Sequence, residues 1–182
     1  MRKDIDRFVW AAAGFGLVVL GVLAAAALWA PPLSLNDYMA ALRKKHERLR
    51  TVEGPRTIIV GGSNATFGID GQRLEEAFGR PVVNMSLHAS LGFGFMVNEV
   101  KDELRSGDLV LLVPEYSQYK DAVRAEQILY AVLDNYPEGM RYVDAWDRPQ
   151  LVLAYAVRKL QAGSGALVGK GPAAYDSVYS AS

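Results

Sequence analysis

The sequence predicts a mixed α/β chain: a three-layer α/β/α domain on a parallel sheet, present in part, behind one transmembrane helix. Three observations carry this expectation. Residues 8–30 hold no charged side chain. Three short aliphatic runs, Thr57–Val60, Pro81–Ser86 and Asp108–Val113, have the length and composition of strands. The segments between them show helical periodicity, and strand–helix–strand at this spacing implies right-handed parallel crossovers. Continuous apolar strands further predict a sheet covered on both faces.

The chain begins with a charged tail, residues 1–7, before the apolar run Phe8–Ala30. As a helix that run spans about 34 Å at about 1.5 Å per residue, enough for a hydrocarbon core of about 30 Å. Trp10 and Trp29 stand near its two ends as interfacial anchors do, and Pro31 and Pro32 stop it. A buried globular helix and a cleaved signal peptide are the alternatives. The run is longer than a signal core of about 7–15 residues, which favours an uncleaved, single-pass anchor in a lipid bilayer. Arg2, Lys3 and Arg7 flank one end, and Arg43, Lys44, Lys45, Arg48 and Arg50 lie farther from the other, so the positive-inside count gives no orientation.

Residues 31–55 read as a juxtamembrane helix and linker. Ser34 with Asp37 resembles a capping box, and Leu35, Met39, Leu42, His46 and Leu49 recur at helical spacing through Arg50. His46 reads as a structural or solvated histidine. Residues 56–162 form the α/β domain. Asp70 is placed to cap a helix through Phe78, with Gly79 as its stop. Phe93, Met96, Val97, Val100 and Leu104 make one apolar helical face, and Gly107 ends that segment. Pro114 closes the third strand. Val123–Leu133 is amphipathic, Tyr136-Pro137 interrupts it, and Gln150–Leu160 predicts a last helix. Residues 163–182 are small and flexible in composition.

Composition narrows the chemistry. Twenty basic and 20 acidic residues balance, and no basic, aromatic-interleaved segment points to nucleic acid. There are no cysteines and only two histidines, His46 and His88, so thiolate zinc sites are excluded and no metal or cofactor is expected. Gly61-Gly-Ser-Asn64 lacks the patterns of nucleotide-binding glycine loops.

The first strand runs into Gly61 and Gly62, which permit a sharp turn at positive φ and a close backbone approach. Ser63 then sits past the carboxyl end of a central strand, where open α/β sheets place reactive groups. Three turns leave that same edge: Ser63-Asn64, Asn84 through Gly92, and Glu115-Tyr116. A serine beside backbone donors and polar side chains suits acyl transfer, provided that a base activates it. Ser63 is the candidate nucleophile and His88 the candidate base. Asn64 and Gly92 are candidate oxyanion donors, and Asn84 and Glu115 candidate pocket residues. Each has a plainer reading as a turn, strand-end or solvated group.

Gly61-Gly-Ser-Asn64 resembles the first block of the SGNH/GDSL hydrolase superfamily. Val83-Asn-Met-Ser-Leu-His-Ala-Ser-Leu-Gly92 resembles its second block, and Val110-Leu-Leu-Val-Pro-Glu-Tyr116 lies where the third falls. The resemblance covers about residues 56–120. It implies an SGNH-type, flavodoxin-like sheet in a membrane-anchored bacterial envelope protein, similar to those of polysaccharide O-acetylation and teichoic acid D-alanylation. The implied activity is that of a serine esterase or O-acyltransferase on a cell-envelope polysaccharide, with the domain outside the cytoplasm and membrane assembly proteins as further partners. The chain departs from the pattern at Gly62, where the family has aspartate, and lacks both the Gly-X-Asn-Asp block and the late Asp-x-x-His. These departures predict a truncated or degenerate relative, and leave open a non-catalytic protein that binds glycan or partner proteins.

Overall fold

The computed structural model describes residues 2–30, 38–119 and 126–167. It divides into two compact units, residues 36–149 and residues 1–35 with 150–182. The capping pair Ser34 and Asp37 and the segment 168–182 lie outside the described residues.

In the second of these units, helix α1 (Arg2–Trp29) contains a stretch, Lys3–Ala25, long and apolar enough to cross a membrane. Its large side chains point outward, with Phe8 and Trp10 at 73% and 77% exposure, so the buried-helix alternative does not describe it. Helix α7 (Arg148–Leu167) falls in this unit from Gln150 onward, and its Lys159 Nζ donates to the Ala30 carbonyl at 2.9 Å. This differs from the expected division at 56–162, because α7 groups with the apolar helix rather than with the sheet.

The first unit holds a three-stranded parallel sheet in the order β2-β1-β3, made of β1 (Thr57–Gly61), β2 (Val82–Asn84) and β3 (Leu109–Val113). Thr57 pairs with Val82 on one side and Leu109 on the other. β1 is buried along its whole length, as a central strand between two neighbours should be. Helix α2 (Ala41–Thr51) buries Leu42, His46 and Leu49 and packs on β2, which makes part of the expected linker region integral to this unit. Helix α3 (Ser63–Gly68) follows β1 at once. In α4 (Gly71–Phe78) the Asp70 carboxylate accepts from the N–H groups of Gln72 and Arg73, and Gly79 closes the helix at φ +63°. Helix α5 (Phe93–Lys101) stops short of Leu104 and Gly107, and α6 (Glu126–Asn135) ends where Tyr136-Pro137 forbids its continuation.

Two features correct the sequence-based picture. β3 is not covered on both faces: Leu109, Leu111 and Leu112 are 52%, 39% and 48% exposed. It is one of two outer strands; the other, β2, is buried because α2 and α4 pack on it, and no described helix packs on β3 to that extent. The two strand starts are also locked by a pair that periodicity does not reveal. Arg56, fully buried, donates to the Asp108 carboxylate, to the Leu49 carbonyl and to the Glu103 carbonyl at 2.8 Å. The Leu109 N–H returns to the Arg56 carbonyl at 2.8 Å.

Candidate functional site

The turn after β1 is built by close approach. Neither Gly61 nor Gly62 has positive φ; Gly62 sits at φ −88°. That corrects the conformational half of the expectation and sharpens the steric half. A Cβ on Gly61 would stand 2.5 Å from the Val113 carbonyl oxygen, and one on Gly62 would stand 2.2 Å from Glu115 Oε1. The two glycines let the third turn fold directly over the first.

Glu115 fills that space. Its Oε1 accepts the Ser63 hydroxyl at 3.0 Å and the Asn64 N–H at 3.2 Å. Gln118 steadies it, accepting the Glu115 N–H at 2.8 Å while its Nε2 reaches the Ala89 carbonyl at 3.4 Å. Gln118 thereby ties the third turn to the second, a role no sequence motif announced. The first turn is tied to the second by Thr66 Oγ1, which donates to the Leu87 carbonyl at 2.9 Å, and by the Leu87 N–H, which donates to the Gly61 carbonyl at 3.2 Å. The three turns therefore meet at the carboxyl ends of the strands. Ser63 is partly buried there rather than sealed in the core.

The other candidates divide. Asn64 is exposed, and its Oδ1 accepts the Ala65 N–H at 2.7 Å, which orients its amide group at the start of α3. Asn84 is a strand-end tie: its amide donates to the Ala65 carbonyl at 3.0 Å and accepts from the Ser86 N–H at 3.0 Å. His88 turns its Nδ1 back on its own loop, accepting the Ser90 N–H at 3.0 Å; the recorded partner of the Ser63 hydroxyl is Glu115. Gly92 does adopt positive φ, +84°, but its N–H is committed to the Ala89 carbonyl at 3.0 Å. The positive φ serves the tight turn into α5.

A second polar cluster lies within the same unit. His46, buried, stacks with Tyr136 (centroids 4.8 Å apart) and with Tyr142 (5.2 Å), with Nε2 2.8 Å from Glu99 Oε1. The distance is that of an ion pair, but the approach lies outside good hydrogen-bond geometry, and among the described residues Glu99 Oε1 has no other hydrogen-bond partner. Burial pushes the Glu99 carboxyl up from its ordinary value, against the opposing pull of His46 and Lys45. Burial also pushes the Tyr142 hydroxyl up to about 12. The helical stripe placed His46 on the packed face, but its partners come from segments 53 or more residues away and could not be read locally.

Comparison with family profiles, with characterised proteins and with solved structures returns no match, so the functional reading rests on the geometry of these turns.

Proposed function

We propose that the chain is a single-pass, membrane-anchored, SGNH-like protein of the bacterial envelope, with its α/β unit outside the cytoplasm. In this reading Ser63 is the nucleophile of an esterase or O-acyltransferase acting on a cell-envelope polysaccharide. The observation that carries it is the 3.0 Å hydrogen bond from the Ser63 hydroxyl to Glu115 where three crossover turns meet. The strand order β2-β1-β3 supports it further, being the order of the first three strands of a flavodoxin-like, three-layer sheet. The apolar span Lys3–Ala25 supports the anchor.

The proposed step uses groups of this chain only. Ser63 Oγ attacks the acyl carbon of an ester while its proton passes to Glu115, and the carbonyl electron pair moves onto oxygen. Among the described residues, the contacts above leave the Ser63 N–H and the Asn64 side-chain amide as donors for that oxyanion. Collapse breaks the ester C–O bond, and the proton returns from Glu115 to the departing sugar oxygen. Water or an acceptor hydroxyl then attacks the acyl carbon, the acyl–Oγ bond breaks, and the attacking group's proton passes through Glu115 to Ser63 Oγ. A carboxylate is a weaker base than imidazole, so slow turnover is expected.

Two observations favour a second reading, a non-catalytic SGNH-like protein that binds glycan or envelope assembly partners. His88 spends Nδ1 in its own loop, and Gly92 spends its N–H on Ala89. A fluorophosphonate probe applied to the full chain in detergent separates the two. Adduct on the Ser63 peptide by mass spectrometry, lost in Ser63→Ala, supports the nucleophile; folded protein that takes no label favours the binding module.

A further inference from the structure

A cavity of about 430 Å³ opens beside the His46–Glu99 pair, away from the Ser63 turn. That volume falls within the range of about 300–1,000 Å³ typical of small-molecule sites. Its wall is unusual for such a site because it is mainly charged. Its lining carries the carboxylates of Glu99, Asp102, Glu103 and Asp144 together with the cations Lys101, Arg141 and Arg148, and Glu103 also accepts from Arg50 Nε at 3.2 Å. An apolar ligand has little to bury here. A phosphate would meet the carboxylates and a polyamine the guanidinium groups. A neutral, hydroxyl-rich molecule can donate to the first set and accept from the second.

The wall is also held in place before any ligand arrives. Arg148 donates to the Val143 carbonyl at 2.9 Å and to the Arg141 carbonyl at 2.8 Å, and Arg141 donates to the Tyr142 hydroxyl at 2.6 Å. Asn98 donates to the Tyr142 carbonyl at 3.1 Å. A guanidinium has five N–H donors, and these bonds occupy one or two on each arginine. Glu99, 2% exposed, joins this wall to the packed His46, whose Nε2 lies 2.8 Å from its Oε1.

We propose that this cavity is a saccharide-binding site, with Glu99, Asp102, Arg141 and Arg148 gripping the hydroxyl groups of a neutral sugar. The site is separate from Ser63, and only the choice of probe rests on the envelope-glycan reading above. The full chain in detergent micelles is titrated calorimetrically with cellotriose, maltotriose and chitotriose, and in parallel with spermidine and inorganic phosphate. At least one trisaccharide is expected to bind, with affinity falling about tenfold or more in Asp102→Ala and in Arg141→Ala, and unchanged in Ser63→Ala. A circular-dichroism melt of each variant confirms folding, and Glu99→Gln is the replacement should Arg141→Ala not fold. No trisaccharide binding, binding indifferent to the cavity variants, or binding of spermidine or phosphate alone overturns the proposal. Trisaccharide binding without fluorophosphonate labelling sinks only the nucleophile, and labelling without trisaccharide binding sinks only the cavity.

Discussion

At the scale of single residues, Asp108 and Glu99 are two buried carboxylates with opposite titration behaviour. Burial alone would raise both. At Asp108 the Arg56 side chain, the Arg56 N–H and the Arg105 N–H overcome desolvation and hold the carboxyl at about 2. A depressed pKa contributes stability that is complete above the unfolded value of about 3.9 and is lost as pH falls through about 2, a contribution of about 2–3 kcal/mol. Asp108→Asn leaves the buried Arg56 charge without its counterion, and an unfolding free energy lower by about 3–5 kcal/mol is expected in urea titrations. Glu99 behaves in the reverse sense. Its pKa is raised, so stability is lost as pH climbs from the unfolded value of about 4.3 through the folded one. Glu99→Gln removes that penalty, and the stability of the variant relative to the parent is expected to rise with pH across that window. A flat or falling difference in urea titrations at a series of pH values would contradict the assignment. Neither role was visible in the sequence, where Asp108 begins a strand run and Glu99 is simply not among the residues of its helix's apolar face. Each depends on a partner 52 or 53 residues distant, Arg56 and His46.

At the scale of elements, the turn after β1 makes two glycines do different work. In Gly61→Ala the new methyl meets a backbone oxygen of β3, so the strand pair itself must shift. In Gly62→Ala the methyl meets the end of the Glu115 side chain, which can swing away, and stands 3.0 Å from the Ala89 Cβ, which must give by a few tenths of an ångström. Gly61→Ala is therefore expected to lose about 1–3 kcal/mol of stability. Gly62→Ala is expected to lose less stability, yet to release Ser63 from Glu115. Thermal melts of the two variants, compared with their fluorophosphonate labelling, check the contrast. The same logic separates the strands: Ile59→Ala in the covered β1 is expected to lose about 2–5 kcal/mol, and the half-exposed Leu112→Ala markedly less. Much at this scale was legible from sequence, because its causes are local. Asp70 and Gly79 bound α4 by capping and left-handed geometry, and Gly61-Gly-Ser63 marks the end of β1. The covering of β3 was not legible, since an apolar run records what a strand is suited to, whereas exposure depends on which neighbours flank it.

At the scale of the molecule, a parallel sheet joins three separate turns into one site, while the apolar helix α1 belongs to another unit. The site was legible as a convergence, because parallel crossovers send every strand's carboxyl end to the same edge. Its internal wiring was not. Spacing alone could not choose between His88 and Glu115 as the neighbour of Ser63, and the structure pairs Ser63 with Glu115. The proposed sidedness can be tested simply because the chain has no cysteine. A single Glu53→Cys, at an exposed position, is expected to react with a membrane-impermeant maleimide in intact spheroplasts. Reaction only after lysis would place the α/β unit in the cytoplasm.

The hydrogen bond between Ser63 and Glu115 is most directly tested by the rate of fluorophosphonate labelling in the parent chain and in Glu115→Gln. Glutamine keeps the shape of the side chain and removes the proton acceptor. The account predicts labelling at Ser63 in the parent and a rate lower by about tenfold or more in the variant. Equal rates in the two proteins would show that Glu115 does not activate Ser63, and a folded parent that takes no label would contradict the nucleophile itself.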